Sequence, residues 1–240
     1  MVRVALPHYR RRWTLVFLAI NGLVWLVMTV MGGSTSTRVL VLFGAKVDPL
    51  IAAGQYWRLL TACFLHIGLV HLAVNSYSLY SIGSHFESRY GYGRFTVLYL
   101  LAGIAGNVLS YAASDSLSAG ASGAIFGLLG ATISYYVVHR GEFGQRGRRQ
   151  LTNLVGVAAL NLVWGMTMPG IDNLGHIGGL LGGLWLGWAF CPRYRVVYSL
   201  DTLPPYQVVD EASRVRGIVS VAALILLMVL LVMLGTRLTV

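Results

Sequence analysis

The chain alternates long apolar stretches with short segments rich in arginine, and this alternation constrains its fold more than any single motif. Seven stretches, roughly 13–31, 57–82, 94–113, 121–139, 151–168, 174–190 and 217–235, each read as a helix able to cross a hydrocarbon core of about 30 Å. Composition agrees: 56% of the 240 residues are hydrophobic and 11% are charged, too little charge to cover a soluble domain. The expected fold class is therefore all-α, a polytopic transmembrane helical bundle. The first stretch is too long and uninterrupted for the apolar core of a cleaved signal peptide, so it counts as a span.

Arginine placement sets the expected topology. Arg3, Arg10, Arg11 and Arg12 precede span 1, and Arg89 and Arg94 lie between spans 2 and 3. Arg140, Arg146, Arg148 and Arg149 separate spans 4 and 5, while Arg193, Arg195, Arg214 and Arg216 separate spans 6 and 7. The alternate loops are the basic ones, which puts the N-terminus in the cytoplasm and starts spans 2, 4 and 6 on the outer side. The implied organisation is a basic cytoplasmic N-terminus (1–12), a six-helix core (13–192), a cytoplasmic linker (193–216) and a seventh helix with a short C-terminus (217–240). The formal net charge of +10 does not argue for nucleic acid, because the arginines sit at the ends of spans. The half-hydrophobic outer loop 32–56 reads as lying in the membrane interface. Span 7 carries no polar group stronger than a serine and reads as a lipid-facing addition. Cys63 and Cys191 fall near opposite membrane faces, too far apart for a mutual disulfide, and neither joins a metal-type cluster. No cofactor and no metal are expected.

Ionisable groups at membrane depth are expensive and are functional candidates by default. His66 and His71 in span 2 and His176 in span 6 are the three, with Asn75 beside them. His71 and Asn75 are four apart and share a helix face. His66, five before His71, is turned about 140° away on a continuous helix. It is assigned to hydrogen bonding with the outer loop. Gly175, Gly179, Gly183 and Gly187 form a smooth ridge on span 6, and Gly123, Gly127 and Ala131 form another on span 4. Such ridges let backbones approach closely. The two spans run parallel, so Ser122 and His176 fall near the outer ends of helices that can touch, level with His71 and Asn75.

This constellation suits nucleophilic catalysis. A neutral imidazole within hydrogen-bond reach can take the proton from a serine hydroxyl. The oxyanion that follows attack on a carbonyl needs preorganised donors, which the His71 ring, the Asn75 amide and the backbone N–H groups of Ala121 and Ser122 can supply. Phe126, four after Ser122, either stacks on His176 and orients it or is a core aromatic. Asp172, four before His176, fits a helix N-cap better than a third catalytic member, which leaves a Ser–His dyad. A metalloprotease H-E-x-x-H is absent. The competing readings are a catalytically silent membrane protein that binds or chaperones transmembrane segments, and a transporter using His71, Asn75 and His176 as a polar pathway. A transporter would spread polar groups across the bilayer, whereas these gather in its outer half.

An ordered set of motifs resembles the rhomboid family of intramembrane serine proteases. It comprises Trp57–Arg58; H-x4-H-x3-N at His66, His71 and Asn75; G-x3-E-x3-G-x2-RF at Gly83, Glu87, Gly91, Arg94 and Phe95; G-x-S-G-x3-G at Gly120, Ser122, Gly123 and Gly127; and H-x2-G-x3-G at His176, Gly179 and Gly183. The resemblance implies a six-helix core with Ser122 as nucleophile and His176 as general base. It also implies an oxyanion hole of His71, Asn75 and the Ser122 amide, in a water-filled cavity open to the outer face. Glu87 and Arg58 become structural anchors near the site, with His66 and the glycines 123, 127, 179 and 183. The implied partners are transmembrane protein substrates within the lipid bilayer, with small residues at the cleavage point. The implied setting is a bacterial-type plasma membrane. The family often has Ala where Gly175 stands and Tyr where Phe126 stands. The sequence leaves the natural substrate and the oligomeric state undetermined.

Overall fold

A computed structural model of the chain describes residues 7–198 and 206–239. Arg3 and the middle of the 193–216 linker lie outside the described residues. The helices are α1 (Trp13–Val30), α2 (Thr37–Phe43), α3 (Asp48–Ala52), α4 (Arg58–Thr61), α5 (Gly68–Ser78), α6 (Ser84–Tyr90), α7 (Tyr92–Ala113), α8 (Ser122–Val138), α9 (Arg140–Thr167), α10 (Asn173–Phe190) and α11 (Arg214–Thr239). A two-stranded antiparallel hairpin, β1 (Tyr194–Tyr198) and β2 (Tyr206–Asp210), precedes α11, with Tyr194 opposite Asp210 and Tyr198 opposite Tyr206. The chain is a multi-pass membrane protein. The helices α1, α7 and α11 are each long and apolar enough to cross a bilayer.

The second expected span is not one straight helix. Arg58–Phe64 and Gly68–Tyr90 meet at 90°. Leu65 and Ile67 are extended, and Gly68 restarts the helix at φ +76, a conformation that glycine reaches without a Cβ clash. From Gly68 the chain runs through α5, a π-helical turn at Leu79–Gly83 and then α6. Two further boundaries differ from expectation. The fifth helix begins at Arg140 rather than near 151 and carries a non-helical residue at Gly144. The linker holds the β1–β2 hairpin, which is tied to the core by Tyr194 Oη donating to Arg89 O (3.1 Å) and by an Arg94–Asp210 ion pair (2.6 Å).

Glycine sets how close the central helices come. A Cβ at Gly179 would run into Gly123 O, one at Gly183 into Gly127 O, and one at Gly187 into Ala131 Cα, so α8 and α10 touch backbone to backbone along the two expected ridges. A third helix joins them. On α7, Gly106 lies against Gly175 O, and a Cβ on Gly178 would be 2.7 Å from Ala105 O. The sequence reading paired α8 with α10 and missed this α7 face. Around the trio, a core of Phe17, Phe86, Phe95, Leu98, Tyr99 and Leu128 ties in α1 and α6.

Glu87 explains how α1 docks. Its first N–H groups have no partner within the helix and no side-chain cap from Arg12. The fully buried Glu87 carboxylate accepts from the N–H groups of Arg12 (2.9 Å), Trp13 (2.8 Å) and Thr14 (3.0 Å), and from Thr14 Oγ1 (2.6 Å). Arg58 ties down the loop before α4, donating to Gln55 Oε1, Val41 O and Ala45 O and stacking on Trp57. Cys63 and Cys191 are both free and buried.

Candidate active site

Three helices begin at one place, and each contributes a polar side chain from its first turn: His71 from α5, Ser122 from α8 and His176 from α10. The glycine contacts between α8 and α10 hold the last two together. Ser122 Oγ lies 2.9 Å from His176 Nε2. Phe126 lies flat on the imidazole, with ring centroids 4.4 Å apart and planes 13° from parallel. Stacking restricts the ring where a hydrogen bond does not, because His176 Nδ1 has no partner among the described residues. Asp172 caps α10 by accepting from Gly175 N–H (2.9 Å), the N-cap position expected of it.

His71 faces Ser122 across Gly120. Its Nδ1 accepts from Ile67 N–H (3.3 Å), so a neutral ring carries its proton on Nε2. A Cβ built on Gly120 would be 2.9 Å from that Nε2 and 3.7 Å from Ser122 Oγ. Gly120 is also at φ +147 and donates its N–H to Ala62 O (2.8 Å). The first glycine of the G-x-S-G motif thus leaves room between an N–H donor and the hydroxyl. Asn75 uses one amide hydrogen on His71 O (3.0 Å) and keeps the second. Ala121 is the N-cap of α8 and Ser122 its first residue, where N–H groups have no acceptor within the helix.

His66 departs from expectation. The break before Gly68 removes it from the α5 helix, so the 140° separation does not apply. Its ring is fully buried with its centroid 5.3 Å from that of His71, and among the described residues neither nitrogen has a hydrogen-bond partner. It packs behind His71 and makes no hydrogen bond to the outer loop.

Residues 53–193 match the family model for the Rhomboid domain. The chain belongs to the rhomboid family. It is similar to "Rhomboid protease GluP" of Bacillus subtilis (strain 168), 47% identical over 173 residues, which cover 72% of this chain and 34% of that protein. It is also similar to "Rhomboid-like protease 1" of Toxoplasma gondii (36% over 193 residues, 77% of this chain and 66% of that one). A third relative is "RHOMBOID-like protein 5" of Arabidopsis thaliana (34% over 176 residues, 71% and 56%). The chain therefore spans from 34% to 66% of the length of these curated relatives.

One residue at the edge of the rhomboid core escaped the sequence reading. Lys46, the single lysine of the chain, is fully buried. Its Nζ pairs with Asp48 Oδ1 (2.8 Å) and donates to the carbonyls of Ser114 (2.9 Å) and Ser116 (3.0 Å). Its backbone exchanges two hydrogen bonds with Ser118. Burial pushes the Asp48 carboxyl up, and the Lys46 hydrogen bond and charge oppose the shift. Loop 32–56 is thereby fastened to the segment that leads into Gly120 and Ser122. A lone lysine in a half-apolar loop was the available signal. Lys46→Met leaves Asp48 buried without its cation, and a loss of about 3 kcal/mol in unfolding free energy is expected. Denaturation of the detergent-solubilised protein measures it, and Lys46→Met with Asp48→Leu should recover part of the loss.

Among the described residues there is no group of three or more His, Cys, Asp or Glu side chains placed to hold a metal ion.

Proposed function

We propose that the chain is an intramembrane serine endopeptidase that hydrolyses peptide bonds within transmembrane segments of other proteins. The observation that carries this reading is the 2.9 Å contact from Ser122 Oγ to His176 Nε2, beneath a ring clamped by Phe126. His176 Nε2 takes the hydroxyl proton as Oγ bonds to the substrate carbonyl carbon. The carbonyl oxygen becomes an oxyanion facing His71 Nε2–H, the free Asn75 amide hydrogen and the N–H groups of Ala121 and Ser122. As the C–N bond breaks, the proton on His176 passes to the departing amine and an ester to Ser122 remains. A water molecule, deprotonated by the same imidazole, then attacks the ester, and the proton returns to Ser122 as the second product leaves.

Ser122 and His176 are both only half-buried, as a carbonyl approaching them requires. Substrates with small residues at the scissile bond fit this reading. In the topology set by the arginines, the N-terminus is cytoplasmic and the site opens near the outer face of a plasma membrane. A fluorophosphonate applied to the purified protein is expected to form one adduct, on Ser122, located by peptide mass mapping. Cleavage of a reconstituted transmembrane substrate should persist undiminished with a chelator. An unlabelled Ser122 in folded protein would defeat the proposal.

A further inference from the structure

The seventh helix does not close fully on the core at the end of the bundle away from Ser122. There α7, α10 and α11 surround an open cleft of about 600 Å³. Arg94 and Val97 of α7, Ala189 and Phe190 of α10 and Arg214 of α11 line it, with Arg214 exposed at its mouth. At Gly217 the Phe190 ring approaches the α11 backbone closely, since a Cβ there would be 3.1 Å from it.

Its two ends differ chemically. Arg214, Ile218, Val221 and Ile225 recur at steps of four, three and four and line one face of α11. Eleven residues at 1.5 Å each make that face about 16 Å long. This matches one leaflet, half of a hydrocarbon core of about 30 Å. The guanidinium groups therefore lie at headgroup level, with apolar side chains below them for the depth of one acyl chain.

Asp210 neutralises Arg94, so the charge left uncompensated at the mouth is that of Arg214, with Arg216 beside it. Asp210 pairs with Arg94, and it also accepts from the N–H groups of Arg193 (2.9 Å) and Ala212 (3.0 Å). Burial pushes its carboxyl up, but these three donors outweigh burial and hold it below the usual carboxylate value. Glu211 points to Arg195 (3.3 Å). Arg214 is exposed, and Arg216 lies beside the cleft, stacked over Trp188 and donating to Ala189 O.

We propose that this cleft binds one anionic glycerophospholipid, its phosphate at Arg214 and one acyl chain along Ile218, Val221 and Ile225. Charge complementarity at the mouth and the one-leaflet length of the apolar face select that ligand over a zwitterionic lipid or a free anion. The site is separate from Ser122 and does not depend on the proposed chemistry there.

The test uses the full chain in neutral detergent, with bound lipid counted by native mass spectrometry. Phosphatidylglycerol and phosphatidylcholine of the same chains compete, and glycerol 3-phosphate is added as a soluble anion. Each arginine near a membrane surface contributes about a fivefold preference for anionic lipid. The wild-type protein should therefore retain one phosphatidylglycerol in about fivefold preference to phosphatidylcholine, undisturbed by glycerol 3-phosphate. Arg214→Gln should remove that preference. Ala222→Trp, which fills the cleft, should remove the bound lipid. Both variants should label with fluorophosphonate as wild type does if Ser122 is the nucleophile, and melting behaviour reports their folding in any case. Equal retention of the two lipids, displacement by glycerol 3-phosphate, or a preference unchanged in both folded variants would overturn the proposal.

Discussion

Ser122→Ala should lower cleavage of a model transmembrane substrate in proteoliposomes by at least about 10⁴-fold. Among the described residues its hydroxyl makes one hydrogen bond, to His176, so melting behaviour should barely move. His176→Ala should be impaired to a similar degree. The informative variant carries both substitutions. If the two side chains act as one unit, the double variant is no slower than either single one, because each substitution already removes the whole proton transfer. Cleavage by Ser122→Ala within tenfold of wild type would exclude the mechanism.

Gly179→Val should impair activity nearly as much by a different route. A side chain at position 179 meets Gly123 O, so α8 and α10 must separate where their backbones now touch. Ser122 precedes Gly123 and His176 lies one turn before Gly179, so separation lengthens the 2.9 Å contact directly. A displacement of about 1 Å at a reacting pair costs on the order of 100-fold in rate. Overpacking at such a contact removes about 1–3 kcal/mol of stability, and the folded fraction should be measured alongside the rate. Gly156→Ala in α9 is the matched control, since nothing lies within 4 Å of its added Cβ. It should leave both rate and stability near wild type.

The features that repeat were the legible ones. Glycine ridges four residues apart on spans 4 and 6 indicated which backbones touch, and that contact brings Ser122 to His176. Asp172 as an N-cap followed from its place one turn before His176. What went unread depends on single backbone conformations. FLHIGLVHLAVN reads as unbroken helix by hydrophobic pattern, so nothing in it signals that Leu65 and Ile67 are extended and that Gly68 takes a positive φ. The orientation argued for His66 failed for that reason. The α7 contact was missed because Gly103 and Gly106 are three apart, outside the four-residue step used for the other ridges. Strands β1 and β2 are five residues each, too short for their alternation to stand out in a linker.

The break at Gly68 has an electrostatic consequence. It creates a helix start in mid-span, so α5, α8 and α10 all point their N-termini at the space around Ser122. Each such terminus carries roughly half a positive charge from its aligned peptide dipoles, and a half-buried pocket screens that charge less than bulk water does. Three of them make this pocket attractive to anions before any side chain is counted. A variant stripped of His71 and Asn75 should therefore keep measurable affinity for phosphonate and boronate inhibitors, drawn by a field that belongs to the backbone.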